Sequence, residues 1–224
     1  TVNKYVNIIC HTWRVAKREW GINLPPQNPC DMVTMNKVND ARDRVLSKDE
    51  YDRLIEVCEV QDKAPQIQKY KSDQLRIVTD IVKFAYQTGA RQGEILKLKR
   101  DDIDFNNKTC TFRDTKNEED RTIPLADETL TLLKKHLFGA NVFMTNGSRL
   151  RKWFRVACRK AKIKDFRFHD LRACFCTNAL LSGMSIAEVS SISGHKDWSQ
   201  LKRYTRIKPA DLLVKINNVV KLRG

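Results

Sequence analysis

Between two long blocks of helix-period sequence, one stretch, Ile103 to Leu125, changes period, and that interruption limits what the chain can become. Asp104-Phe105-Asn106-Asn107 stands between Ile103 and the run Lys108 to Arg113, which reads as a strand, an Asn-rich turn and a second strand. Arg121 to Leu125 reads as a third, and the polar residues Thr115 to Asp120 form the turn before it. Short strands joined this closely pair antiparallel. The expected fold class is therefore α+β, mostly α-helical with a small three-stranded antiparallel sheet.

Helical signals flank the sheet. Val6, Ile9, Trp13, Val15 and Ala16 predict a helix over residues 5–20 that ends near Gly21. Ser47-x-x-Glu50 is a capping box that opens a helix running to about Val60, and another starts near Ser72 or Asp73 and is stopped by Gly89. A short helix covers Gln92 to Leu98. Beyond the sheet the pattern gives Ala126 to Phe138, Ser148 to Lys162, His169 to Ser182, Ser185 to Ser193, Ser199 to Tyr204, and an amphipathic stretch from Pro209 to Leu222. Pro25, Pro26 and Pro29 mark an exposed connection after the first helix. One lone helix is not a domain, so the residues from Thr1 onward are expected to be the end of an upstream module.

The chain carries 42 Lys and Arg against 27 acidic residues, a formal charge of +15, which is what a polyanion-binding surface looks like. Nucleic acid is the favoured partner. The sequence has neither a membrane-length apolar run nor the layout of a signal peptide, so the expected setting is the cytoplasm or nucleoid. The seven cysteines form no CxxC pair and show no repeated spacing; Cys174 and Cys176, at i,i+2 on a helix, point to different faces. They read as small buried hydrophobes, and no metal site is expected.

Six residues could carry chemistry on a phosphate. Arg91 follows a helix-ending Gly89, where its guanidinium fork can donate two hydrogen bonds to one phosphate, and Glu94 is placed to orient it. His169 and Arg172 stand i,i+3 on one helical face. His195 follows Gly194, and Tyr204 comes nine residues later among Lys202, Arg203 and Arg206. A phenol with an ordinary pKa of about 10 attacks at neutral pH only beside a proton acceptor or strong positive potential. Lys116 sits in the charged hairpin turn, with Lys108 its nearest rival one strand earlier. Taken singly, each of these residues has a bland reading as a salt bridge, a cap, a core tyrosine or surface decoration.

Taken together, Thr88-Gly-Ala-Arg91-Gln-Gly-Glu94, Lys116, His169-Asp-Leu-Arg172, Gly194-His195 and Tyr204 resemble, in order and spacing, the tyrosine recombinases, or phage-type integrases. The resemblance covers about Arg44 to Ile207. It implies the catalytic-domain fold of that family over residues 44–207, a linker over 31–43, the end of an upstream core-binding domain over 1–30, and a C-terminal tail helix over 208–224. It further implies that Tyr204 is the nucleophile and that Arg91, Arg172 and His195 stabilise the phosphorane. His169 would help take the phenolic proton, and Lys116 would protonate the departing 5′ oxygen. No cofactor or metal is implied. The implied partner is a double-stranded DNA attachment site bound by a homotetramer of a chain that is monomeric when free, with accessory DNA-bending proteins.

Arg149, Arg151, Lys152, Arg155 and Arg159 on the helix after the sheet, with Lys202 and Arg203, are candidate DNA contacts. A type IB topoisomerase or telomere resolvase shares much of this residue set, and a DNA-binding module with a degenerate site is the non-enzymatic alternative. Two departures from the family pattern are Ala-Cys-Phe-Cys-Thr after Arg172 and Trp198 in a loop that is more often small and polar.

Overall fold

The computed structural model describes residues 2–35, 44–60, 69–113, 120–137 and 139–204. The chain divides into two compact units, Thr1–Ala41 and Arg42–Gly224.

In the first unit, helix α1 (Val2–Arg18) is followed by a 3-10 turn (Pro29–Met32) that folds back on it. Asn28 caps the turn by accepting the Cys30 N–H at 3.0 Å, and its amide donates to the Cys10 carbonyl at 3.4 Å. Lys17 donates to the carbonyls of Pro25 and Pro26 at 3.3 and 3.0 Å, which closes the proline loop onto the helix. Ala16 is the helix's buried residue, whereas Val2, Tyr5, Ile8 and Ile9 are exposed.

The second unit opens with α2 (Lys48–Val60), where the Glu50 N–H donates to Ser47 Oγ at 3.2 Å and the Ser47 N–H to Glu50 Oε2 at 3.1 Å, the reciprocal box read in the sequence. Helices α3 (Lys69–Thr88) and α4 (Gln92–Lys97) precede strands β1 (Ile103–Asp104), β2 (Thr109–Phe112) and β3 (Arg121–Pro124). Helices α5 (Asp127–Lys134), α6 (Gly147–Lys160), α7 (Asp170–Leu181) and α8 (Ile186–Ser193) follow, and Trp198–Tyr204 closes the described part. That last segment is 3-10 rather than α-helical. The sheet is antiparallel in the order β1-β2-β3, with Cys110 opposite Ile123 and Phe112 opposite Arg121.

Some boundaries differ from the sequence reading. Helix α3 begins at Lys69, earlier than Ser72, and α5 ends at Lys134. Helix α6 begins at Gly147 because Asn146 caps it, accepting the Arg149 N–H at 2.9 Å.

Helix α3 is the hub of the core. Its Val78, Ile81, Val82, Phe84 and Ala85 are buried against α2, α5, α6 and α7, and Phe84 meets Phe143 and Phe112 at ring distances of 5.7 and 6.5 Å. Burying such side chains supplies about 25 cal/mol per Å² of apolar surface, the main force holding these helices together. Helix α7 is buried on nearly every side; Cys174 joins the main core, while Cys176 joins a second cluster with Ala179, Leu180, Val189 and Leu201. The two sulfurs do face different surroundings, as i,i+2 spacing requires.

Candidate active site

Gly89 ends α3 at φ +64°, and a side chain there would stand 2.4 Å from the Phe175 ring, so this turn needs glycine on both counts. The reversal delivers Arg91 to the N-cap of α4. The Arg91 N–H donates to Glu94 Oε2 at 2.8 Å, Nη1 donates to Glu94 Oε1 at 2.8 Å, and Nη2 donates to the Gly194 carbonyl at 2.9 Å. Burial alone would raise the Glu94 pKa, but hydrogen bonds from Arg121 and Arg91, with Arg121's charge, hold it below its ordinary value.

Arg172, on the first turns of α7, is only 4% exposed. Its Nη1 donates to the Gly89 carbonyl at 2.8 Å, and Nη2 lies 3.2 Å from both ring nitrogens of His195. Burial and the nearby Arg91 cation push its pKa down to about 10, which still leaves it charged at neutral pH. His195 follows the left-handed Gly194 (φ +73°) that caps α8. Ser193 Oγ donates to the Val189 carbonyl at 2.5 Å and stands 2.7 Å from His195 Nδ1. Ser193 and Arg172 thus hold the His195 ring between them.

His169 occupies the N-cap of α7, one turn before Arg172, and keeps an exposed edge. Desolvation by the protein around the rest of the ring, then the Arg172 cation, with a smaller push from Arg91, lowers its pKa, while Asp170 opposes them. The imidazole is thereby kept neutral near pH 7. Tyr204 is half-buried at the end of the last 3-10 segment, packed on the second hydrophobic cluster. Lys116 lies outside the described residues, as do Arg206 and the side chain of Arg203. The rival Lys108 is engaged elsewhere, its Nζ 2.7 Å from Asp127.

A cavity of ≈ 420 Å³ opens beside His169, lined by Gln92, Arg151, Phe154, Arg155, Phe166 and Arg167 among others. A second, of ≈ 580 Å³, shares Arg155, Phe166 and Arg167 and adds Arg159, Lys162 and Lys164. Helix α6 buries Leu150, Phe154, Ala157 and Cys158, and leaves Arg149, Arg151, Lys152, Arg155 and Arg159 exposed. Lys202 is exposed as well. Among the described residues no group of His, Cys, Asp or Glu is placed to hold a metal ion, and no helix is long and apolar enough to cross a membrane.

Sequence reasoning passed over Ser193, Arg167 and Arg121. For Arg121 a signal existed: it shares the strand phase of buried Ile123, so it is a charge aimed inward. Its Nη2 donates to Glu94 Oε2 at 2.8 Å and its guanidinium lies 5.0 Å over the Phe112 ring.

Comparison with known proteins adds to this geometry. Residues 44–210 match the model of the phage integrase family. The chain is 30% identical to the shufflon-specific DNA recombinase of Escherichia coli, over 97% of this chain and 53% of that protein. It spans about half the length of the first curated relatives it matches, at 53%, 46% and 52%. Among solved structures, the catalytic domain of bacteriophage HP1 integrase aligns at TM-score 0.57 and 24% identity, covering 77% of this chain and 94% of that one. The Tn1549 transposon integrase, in complex with transposon right end DNA, aligns at TM-score 0.69 and 15% identity, covering 98% and 79%. Both likenesses are of fold. With the family model covering most of its length, and with two arginines and a histidine drawn together from three separate elements, this chain belongs to the phage integrase family of tyrosine recombinases.

Proposed function

We propose that this domain breaks and rejoins DNA at specific sites through a covalent link to Tyr204, in the integration or excision of a phage or other mobile element. The observation that carries the reading is the convergence of Arg91, Arg172 and His195, fixed on one another and on the carbonyls of Gly89 and Gly194. Donors locked in advance around the place where charge develops stabilise a phosphorane without reorganising during the step.

In this reading the Tyr204 phenolic oxygen attacks the scissile phosphorus, a 3′-phosphotyrosyl bond forms, and the bond from phosphorus to the 5′ oxygen breaks. The phenolic proton passes to His169, whose lowered pKa favours the accepting form. Lys116 gives a proton to the departing oxygen. A 5′ hydroxyl of a partner duplex then reverses the step. Two guanidiniums supply the positive field with the His195 imidazole beside them, and the reading assigns the step no metal or nucleotide.

Duplex backbone would lie along the exposed cations of α6 and the basic cavities beside His169. The solved complex of the Tn1549 integrase with DNA supports that partner. We also read residues 1–30 as the end of an upstream core-binding domain, 31–43 as a linker, and 208–224, outside the described residues, as a tail helix. A homotetramer on DNA, accessory bending proteins and the cytoplasm of a bacterial host complete the reading. The recombinase and integrase names of the relatives favour it over DNA relaxation or telomere resolution.

The test is a nicked suicide duplex, selected from a randomised library by retention on the chain and incubated without metal. A protease-sensitive adduct on a denaturing gel that disappears in Tyr204→Phe is expected. Binding without an adduct in the wild type would leave the DNA-binding module.

A further inference from the structure

We infer that Arg121, the first residue of β3, is a positioning residue for Arg91, acting through Glu94, which it bonds, and Gly194, against which it packs. The inference rests on the phosphate-handling role proposed for Arg91. The Arg91 guanidinium is held by Glu94 Oε1, at 2.8 Å, and the Gly194 carbonyl, at 2.9 Å. Arg121 bonds the first and packs against the residue that carries the second. Its Nη2 and Nη1 donate to Glu94 Oε2 and Oε1 at 2.8 and 3.2 Å. The same Nη1 lies so close under Gly194 that a side chain there would begin 2.2 Å from it.

Its surroundings keep Arg121 away from a substrate. The side chain is 12% exposed, and Nε is buried with no hydrogen-bond partner among the described residues. Burying a guanidinium with an unsatisfied N–H costs stability, so a local gain in hydrogen bonding does not account for the residue. Its position divides the charge of Glu94 between two cations. Without Arg121, the carboxylate would pair with Arg91 alone and neutralise the cation that has to meet the phosphate. Arg121 also begins β3 opposite Phe112 of β2, so one guanidinium ties this end of the sheet to the Arg91 anchor.

The experiment compares Arg121→Met and Arg121→Lys with wild type, measuring the single-turnover adduct rate at saturating suicide duplex and the Kd for the same duplex. The expected result for Arg121→Met is a rate about 10- to 100-fold lower, as sub-ångström misplacement produces. Kd should stay within about twofold, because backbone contacts elsewhere set affinity. Arg121→Lys, which keeps a donor to Glu94, should fall between the two and carries the comparison if the methionine variant does not fold. The double variant Glu94→Gln/Arg121→Met should be no slower than Glu94→Gln alone, since both act on one path. Wild-type rates in the Arg121 variants, additive losses in the double variant, or rate and affinity falling together would overturn the inference and leave the proposed function standing. A wild type that forms no adduct would sink both.

Discussion

Arg91 and Gly194, 103 residues apart in sequence, are joined by a 2.9 Å hydrogen bond from Nη2 to the carbonyl oxygen. Arg172 makes the matching contact with Gly89 at 2.8 Å. Each arginine is thus held by the carbonyl of a left-handed glycine, and the glycines fix where the two guanidiniums stand.

Gly194→Ala should therefore be costly. An alanine at φ +73° costs about 1–2 kcal/mol by itself, and its side chain would press on Arg121 Nη1 at 2.2 Å. Gly93→Ala, in helical backbone with nothing within 4 Å, should instead add about 0.5–1 kcal/mol. Thermal unfolding of the two variants decides: shifts of the same sign would contradict this account.

The acid limit of stability should depend on Glu94. Its pKa is lowered in the folded chain from the ordinary 4.5, so its contribution is complete above the unfolded value and is lost as pH falls through the folded one. The stability gap between wild type and Glu94→Gln should be constant at pH 6–8 by denaturant titration and shrink below about pH 4.5. A gap that widened on acidification would contradict the ion-pair assignment.

His169 acts in the same direction, at higher pH. Its folded pKa lies below 6.5, so protonating it costs the folded state at low pH, and that cost vanishes above the unfolded value. In its proposed role as proton acceptor, it should give the adduct rate an acidic limb with a midpoint below 6.5, and the limb should be absent in His169→Asn. An unchanged limb in that variant would pass the proton to another group.

Salt dependence should report the basic cavities. Removing one cation that pairs with a phosphate should lower the slope of log affinity against log salt by about 0.9. Replacing Arg151, Arg155 and Arg167 by glutamine should therefore flatten it by about 2 to 3 on any duplex. An unaltered slope would mean that the backbone lies elsewhere.

Thiol chemistry should separate the cysteines. Burial raises the pKa of Cys58, Cys174 and Cys176 to about 11, and of Cys110 and Cys158 to about 12. Iodoacetamide at pH 8 should label Cys10 and Cys30 in the native protein and reach the other five after unfolding, as counted by mass spectrometry. Native labelling of Cys174 would contradict the packing of α7.

What the sequence determined by itself was local. The capping box of Ser47 and Glu50, the stop at Gly89, the alternation that aims Cys110 and Ile123 inward, and the spacing from Gly194-His195 to Tyr204 all rest on neighbouring residues or on a single period. Tertiary structure alone decided which groups the functional side chains hold. Arg172 reaches Gly89 because α7 packs on α3, and Arg121 reaches Glu94 and Gly194 because α8 packs on β3. Ser193 meets the ring of His195 because a left-handed glycine turns the chain between them. Contacts across 83 or 103 residues are set by how whole faces bury together, and the period that folds each element carries no record of the partner it meets.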